Sequence, residues 1–264
     1  MLDQDKLSHL LQQVEAQEKH CSLLPDEALR AKTAEFRSQL SNDLSLDELL
    51  PEAFAVVRES ARRTLGIWLH DGQVLAGIII HHRAIAQMPY GEGKTLAIIM
   101  PSYLNALVSQ VHVVGVHDAQ LQRAWRTTRQ VVYEFLGIFS EWLPKISERK
   151  GRTELQDKAH IADVIYGSGK QFIENYLARH WWDLARAGVD LDFAIVDDAD
   201  LLLADRAAVR VTVGDTHALN NETQRSLQIC AASLDTFWNA RTLGLGKKTK
   251  SSSPMRECAR RKNY

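Results

Sequence analysis

The chain has 264 residues, of which 45% are hydrophobic and 25% are charged, and its formal net charge is -1 at pH 7. This composition is typical of a globular protein with a sizeable core, and the balanced charge gives no global basic field that would favour nucleic acid as a partner. The three cysteines are far apart and odd in number, which disfavours a disulfide framework or a zinc site and favours a reducing, cytosolic compartment.

The chain begins with an acidic, polar segment that lacks the basic and apolar parts of a secretory signal. No stretch approaches the roughly 20 apolar residues that a membrane-spanning helix needs. The best candidate, residues 74–80, is short and is followed at once by His81, His82 and Arg83. We therefore expect a cytoplasmic protein whose contact with a membrane is peripheral.

The first part of the chain has a helical pattern. Apolar residues recur at helical spacing over residues 4–39, with a break at 24–26 where Pro25 can begin a second helix. A third helix is predicted for residues 46–65, and Gly66 is placed to end it. We predict that residues 1–65 form a helical segment that packs on the domain that follows.

From residue 66 to residue 215 the pattern changes to short apolar runs that alternate with helical segments. The apolar runs are 84–87, 111–116, 164–166 and 193–196, and the helical segments are 96–107, 121–136 and 172–184. Strands that alternate with helices in this way predict a parallel sheet covered by helices on both faces, which is an α/β fold of the nucleotide-binding type. Residues 140–157 are polar and are predicted to be an exposed connection.

The end of the chain, residues 216–264, has a weaker pattern. Helical spacing persists over 218–239, and the Gly, Lys and Ser content of 244–264 is typical of a disordered tail. The basic residues of this tail favour a solvated segment, with anionic lipid or nucleic acid as the alternative ligand. They are Lys247, Lys248, Lys250, Arg256, Arg260, Arg261 and Lys262.

The strongest chemical signal is the sequence Met-Pro-Tyr-Gly-Glu-Gly-Lys-Thr at residues 88–95. It lies between the apolar run 84–86, predicted to be a strand, and a predicted helix, which is the order of a P-loop. Its glycines let backbone N–H groups surround a phosphate, its lysine reaches the β- and γ-phosphates, and its threonine can bind Mg²⁺. Met88 stands where the consensus motif has glycine. The predicted nucleotide-binding residues are Gly91, Glu92, Gly93, Lys94 and Thr95.

A second motif follows about 100 residues later, where the apolar run 193–196 ends in Asp197, Asp198 and Asp200. A strand that delivers carboxylates to its carboxyl end beyond a P-loop is typical of a Mg²⁺ site, in which Asp197 holds the metal and Asp198 orients the attacking water. The alternative is an acidic turn whose aspartates only cap a helix. Because both motifs occur in the expected order, we favour an ATP site with Mg²⁺ bound by Thr95 and Asp197 and with Lys94 and Asp198 as catalytic residues.

Beyond these two motifs the sequence resembles the SecA family of preprotein translocase ATPases. The resemblance covers about residues 7–214 and includes Pro-Glu-Ala-Phe-Ala-Val-Val-Arg-Glu at 51–59, the P-loop with Met88, and Pro-Ser-Tyr-Leu-Asn-Ala-Leu at 101–107. It implies a RecA-like domain of superfamily 2, preceded by N-terminal helices. It also implies that Gln73, in the segment 70–77, reads the adenine edge, since its amide can both donate and accept.

The resemblance further implies an ATPase that moves preproteins through a membrane channel. Its partners would be a preprotein or a channel protein, with peripheral contact at the inner face of the cell membrane, and nucleic acid is not expected. We expect the preprotein-clamping domain and the second RecA-like half of the motor to lie outside this chain, so that a separate RecA-like chain is a further candidate partner.

Two departures from the family pattern favour binding of ATP over its hydrolysis. Pro89 and Tyr90 replace Arg-Thr, which removes a positive charge and an N–H donor near the phosphates. Asp198 replaces glutamate, which retracts the carboxylate by about an ångström from the water that it orients. Three hypotheses stay open: a slow translocation ATPase, a catalytically inactive SecA paralogue that serves as a nucleotide-binding or interaction module, and a superfamily 2 helicase, which the spelling of the motifs disfavours.

Other residues are weaker candidates. His81 and His82 are adjacent and have no third ligand at a suitable spacing, so we predict surface histidines rather than a metal site. Trp125, like the pair at 181–182, is predicted to be core rather than a surface that stacks on peptide or bases. The family resemblance makes Lys170 and Arg179 candidates for substrate contacts.

Overall fold

The computed structural model describes residues 3–89, 91–143, 161–181 and 192–205. Three helices form the first part, as predicted: α1 (Gln4–Leu23), α2 (Asp26–Ser41) and α3 (Leu46–Leu65). Local signals fix their ends, since the Asp3 side chain caps α1 by accepting from the backbone N–H of Lys6 at 2.8 Å. Gly66 ends α3 in the left-handed conformation at φ 66°.

The next helices lead into the α/β part of the chain. Helix α4 (Asp71–His81) is followed by an irregular segment, by the short α5 (Lys94–Ala97) and by α6 (Ile99–Asn105). Helix α7 (Asp118–Thr128) continues through a π-helical turn (Arg129–Tyr133) into α8 (Glu134–Leu136), and α9 spans Gly169–Trp181. A second π-helical turn, Leu201–Asp205, follows the last described strand. No helix within the described ranges is long and apolar enough to cross a membrane.

Within the described residues, the sheet has four parallel strands in the order β2-β3-β1-β4. They are β1 (Val111–Gly115), β2 (Ser140–Trp142), β3 (Val164–Ser168) and β4 (Phe193–Val196). In the two pairings of β1, Val111 lies opposite Val164 of β3 on one side and opposite Phe193 of β4 on the other. The predicted α/β fold with a parallel sheet is therefore confirmed.

Both faces of the sheet are covered by helices. On one face, Val113 and Tyr166 join a large core with residues of α1, α3 and α6, such as Val14, Phe54 and Tyr103. On the other face, Ile165 packs with Phe172 of α9 in a smaller cluster. The N-terminal helices therefore share one core with the sheet, whereas the domain boundaries at residues 65 and 215 stay predictions, and the predicted tail lies outside the described residues.

Two predicted elements are wrong. Residues 84–87 are irregular rather than a strand, and the Ile85 side chain is 90% exposed. A strand needs a neighbour for its backbone hydrogen bonds, and in the part of the chain that the structure describes, β4 pairs with β1 alone. Ser140–Trp142, predicted to begin an exposed connection, is instead strand β2, which pairs with β3.

Candidate functional site

The glycine-rich loop before α5 depends on left-handed backbone at two positions. Gly91 has φ 91° and Gly93 has φ 76°, a region that side chains with a Cβ rarely adopt. At Gly93 there is also no room for a side chain, because a Cβ would lie 2.4 Å from Nε2 of Gln73. Lys94 and Thr95 then occupy the first turn of α5. The sequence Gly-x-Gly-Lys-Thr thus forms a tight turn that leads directly into a helix.

Gln73 fastens this loop to helix α4. Its side chain is 5% exposed, its Nε2 donates to the carbonyl oxygen of Glu92 at 2.9 Å, and its Oε1 accepts from the backbone N–H of His70 at 3.0 Å. The amide is therefore already engaged within the protein on both sides. Contact of Gln73 with adenine stays a prediction, while its role in holding the loop is visible in these hydrogen bonds.

The acidic motif lies at the carboxyl end of β4. The backbone N–H of Asp197 donates to the carbonyl oxygen of Val114 at 2.8 Å, which extends the pairing of β4 with β1 by one residue. Asp198 then turns the chain with φ 51°, a conformation in which aspartate is more common than most residues. Its Oδ1 accepts from Nζ of Lys94 at 2.6 Å. This ion pair joins the glycine-rich loop to the acidic motif.

Burial and charge both act on the titration of this cluster. Burial raises the pKa of Asp197, the neighbouring Asp198 carboxylate raises it further, and Lys94 opposes both effects. The hydrogen bond to Asp198 raises the pKa of Lys94, against the smaller effect of its burial. The lysine therefore stays charged, and Asp197 is a carboxylate that a bound cation would stabilise.

Asp197→Asn is expected to stabilise the folded protein at neutral pH without Mg²⁺, by about 0.5–2 kcal/mol. The pKa of Asp197 is higher in the folded chain than in the unfolded chain, so its ionised form destabilises the fold above the folded-state pKa. The gain should shrink as the pH falls through that pKa, because the wild-type carboxyl becomes neutral as well. Urea denaturation at neutral and mildly acidic pH measures both effects.

The matched control is Asp200→Asn, since Asp200 belongs to the same motif but is exposed. We expect the free energy of unfolding of Asp200→Asn to differ little from that of the wild type. If the wild type were more stable than Asp197→Asn at neutral pH, this would contradict the claim that the ionised Asp197 carboxylate destabilises the fold.

The structure brings some of the predicted site residues together and leaves others apart. Lys94 contacts Asp198 and Gln73 contacts Glu92, whereas within the described part of the chain no contact of the Thr95 hydroxyl marks it as a metal ligand. Thr95 and Asp197 nevertheless offer oxygen atoms of the kind that Mg²⁺ prefers. Position 90 lies outside the described residues.

The histidine pair at the end of α4 differs from its prediction, since His81 is only 8% exposed and the ligand atoms of Asp47, His81 and His82 lie within 4.8 Å of one another. The amide nitrogen of Asn105 lies 2.7 Å from the carbonyl oxygen of Pro101, so it is a donor, and it lies 3.0 Å from Nδ1 of His81. His81 therefore carries its proton on Nε2 and donates it to Asp47 at 3.1 Å. This hydrogen bond ties α4 to α3 and disfavours a metal at the same nitrogen.

The structure describes the side chains of two of the remaining candidates, Trp125 and Lys170. Trp125 is 7% exposed and its ring centroid lies 6.2 Å from that of Trp142, which confirms the prediction that it is core. Lys170 is 68% exposed and forms an ion pair with Glu174 at 3.6 Å. The side chains of Arg179 and Trp181 are outside the described part of the structure, and so is residue 182 as a whole.

Sequence reasoning missed two buried charged residues in α3. Arg58 and Glu59 are 2% and 3% exposed, and Glu59 accepts from both Arg62 and Arg63. The signal that could have found them is a pair of charges inside the apolar run 53–61, because ionised residues are rarely buried unless they are paired.

The parallel sheet, with a glycine-rich loop held beside the acidic end of strand β4, defines an α/β domain of the RecA-like, DEAD-like class. The model of the SecA DEAD-like domain matches residues 2–251. The chain belongs to the SecA family.

Individual relatives agree with this assignment. The chain is 44% identical over 206 residues to the protein translocase subunit SecA of Rubrobacter xylanophilus, which covers 76% of this chain and 22% of the relative. It is 38% identical over 225 residues to the protein translocase subunit SecA of Dichelobacter nodosus, with 84% and 24% covered. The subunit of Nitrosococcus oceani is 37% identical over 228 residues, with 84% and 24% covered. The matched region thus spans about a quarter of the length of these relatives.

Proposed function

We propose that this chain binds Mg-ATP between the glycine-rich loop and the acidic end of β4, as the nucleotide-binding part of a SecA-type translocation machinery. The observation that carries the proposal is the ion pair of Lys94 with Asp198 at 2.6 Å, between residues 104 positions apart. A lysine of a P-loop beside a carboxylate at the end of a parallel strand is the arrangement that phosphate and Mg²⁺ require. Family membership supports the same function.

The proposal gives each residue a role in binding. Lys94 exchanges the Asp198 carboxylate for the β- and γ-phosphate oxygens, which carry more negative charge. Gly91 and Gly93 keep the loop open to phosphate, since neither has a side chain that would fill it. Thr95 and Asp197 are the residues that would hold Mg²⁺, which supplies neutralisation of the phosphate charge.

Hydrolysis is proposed to be slow. Once Lys94 turns to phosphate, the Asp198 carboxylate is released and can accept a proton from the attacking water. Its side chain is one methylene shorter than the glutamate of the family pattern, so the water is oriented less well. A second RecA-like half would supply the rest of a motor. The second candidate function, an inactive nucleotide-binding or interaction module, is favoured by the same short side chain.

The relatives are named as protein translocase subunits. We propose by extension that the partners of this chain are a preprotein and a membrane channel protein, and that it acts in the cytoplasm in peripheral contact with the inner face of the cell membrane.

Asp198→Glu is expected to raise the rate of phosphate release about tenfold or more above the low rate of the wild type. The longer side chain restores the reach to the attacking water, and this gain exceeds the small penalty of glutamate at a positive φ. The measurement is steady-state phosphate release with saturating Mg-ATP. Asp200→Glu is the matched control and should leave the rate unchanged.

The two candidate functions give different results in this assay. A slow ATPase shows a rate that rises in Asp198→Glu and vanishes in Asp198→Asn. Mg-ATP binding with no release in either the wild type or Asp198→Glu would support the inactive module instead.

A further inference from the structure

Arg58 lies in the middle of α3 with a side chain that is 2% exposed, and its guanidinium contacts two other segments, α1 and the start of α4. Its Nε donates to the carbonyl oxygen of Leu69 at 2.6 Å, and its Nη2 donates to Oδ1 of Asp71 at 2.6 Å. Its Nη1 donates to the carboxylate of Glu18 in α1. The indole of Trp68 lies against the guanidinium, with its centroid 4.4 Å from Cζ. Each end of the planar fork therefore has a partner.

Two of these contacts hold the start of α4. Leu69 and Asp71 flank His70, the residue that precedes the helix, and Asp71 is its first residue. The guanidinium is planar, and a buried guanidinium without partners strongly destabilises the folded protein. These contacts therefore restrict the position of the first turn. The Asp71 side chain is 57% exposed, so it contributes less than the buried carbonyl of Leu69.

The first turn of α4 in turn holds the glycine-rich loop. Gln73 lies two residues after Asp71, and the backbone N–H of His70 donates to its Oε1. The same amide donates to the carbonyl oxygen of Glu92, and it would clash with any Cβ at Gly93. A shift of the turn by a few tenths of an ångström would therefore move the amide away from the loop or into it.

We propose that Arg58 is a positioning residue for the glycine-rich loop, which it fixes by holding Leu69 and Asp71 so that Gln73 keeps its hydrogen bond to Glu92. The inference rests on the proposed function for its biological meaning. Through Glu18, α1 belongs to the same network of contacts, although it lies far from the loop in sequence.

Hydrogen exchange of the nucleotide-free protein tests the proposal directly. In Asp71→Ala, the backbone amides of residues 92–98 should exchange about three- to tenfold faster than in the wild type, because the loop opens more often. Arg58→Met removes the contact with Leu69 as well and should have a larger effect, together with a loss of global stability that can prevent folding. Asp71→Ala keeps the test informative in that case, since Asp71 is largely exposed.

Two variants separate positioning from general stability. Glu18→Ala removes a partner of the same guanidinium on the opposite side, and it should lower the free energy of unfolding without faster exchange in the loop. Asp71→Asn retains an oxygen that accepts from Nη2, so it should restore slow exchange. Both Asp71→Asn and Asp71→Ala lack the negative charge that favours the start of a helix.

Equal acceleration of loop exchange in Glu18→Ala and Asp71→Ala would show a merely structural role and overturn the proposal. Unchanged loop exchange in Asp71→Ala would also overturn it. Titration with Mg-ATP measures the effect on nucleotide binding, and we expect a dissociation constant that rises by a similar factor in Asp71→Ala but not in Glu18→Ala or Asp71→Asn. A wild type that fails to bind Mg-ATP would remove the proposed function, whereas the exchange data would still decide the role of Arg58.

Discussion

Lys94→Ala is expected to weaken the binding of Mg-ATP by about 10- to 100-fold, the effect of removing a charge-assisted hydrogen bond to phosphate. Lys94 is 36% exposed and stays fully charged beside Asp198, so its ammonium is available for exchange between carboxylate and phosphate. The global stability should change little, since the ion pair with Asp198 is partly exposed to solvent. Competition against a fluorescent ATP analogue measures the loss of affinity, and thermal unfolding measures the stability.

Lys170→Ala is the matched control, because Lys170 is also paired with a carboxylate but lies in α9. It should bind Mg-ATP as the wild type does. Unchanged affinity in Lys94→Ala would mean that nucleotide binds elsewhere or without the P-loop lysine.

Gly93→Ala is expected to reduce Mg-ATP affinity at least tenfold and to lower the free energy of unfolding by about 2–3 kcal/mol. Part of this energy comes from the positive φ of 76°, and part from the clash of the new Cβ with Nε2 of Gln73 at 2.4 Å. The amide has to move, so its hydrogen bond to Glu92 is lost. Urea denaturation and the same competition assay measure the two effects.

Gly91→Ala separates the two causes, because Gly91 has φ 91° but, among the described residues other than its chain neighbours, no atom within 4 Å of an added Cβ. It should destabilise through backbone strain alone. In the double variant Gly93→Ala with Gln73→Ala, the clash is absent, so the added methyl should be less destabilising than in the wild-type background. An equal effect of Gly93→Ala in both backgrounds would contradict the role of Gln73.

The sequence predicted three strands correctly. Val111–Gly115 and Val164–Ser168 have apolar runs that match the burial of central strands in a parallel sheet, whereas Phe193–Val196 is confirmed although Ala194 is exposed. Ser140–Trp142 was missed because three residues with a serine and a glutamate carry too little apolar pattern. Residues 84–87 were assigned wrongly because an apolar run becomes a strand only beside a partner, and local sequence does not show whether one is present.

In the candidate site too, the sequence shows the motifs but not the contacts between them. The sequence predicts that the glycine-rich loop and the acidic motif form one site, and the structure brings Lys94 of the loop against Asp198 of the motif, while the roles of these residues toward nucleotide stay predictions. The individual contacts could not be predicted, because the bond of Lys94 to Asp198 and that of Gln73 to Glu92 join positions far apart in the chain. Arg58 escaped notice for a related reason, as its partners lie on two other elements and carry no motif.

The most direct test of the central claim is a calorimetric titration of the unmodified chain with ATP in the presence of Mg²⁺. A nucleotide site between the glycine-rich loop and the acidic end of β4 predicts saturable binding at a single site, with a dissociation constant in the micromolar range that rises when Mg²⁺ is chelated. Absence of any binding heat up to millimolar ATP, with the protein shown to be folded, would contradict the claim.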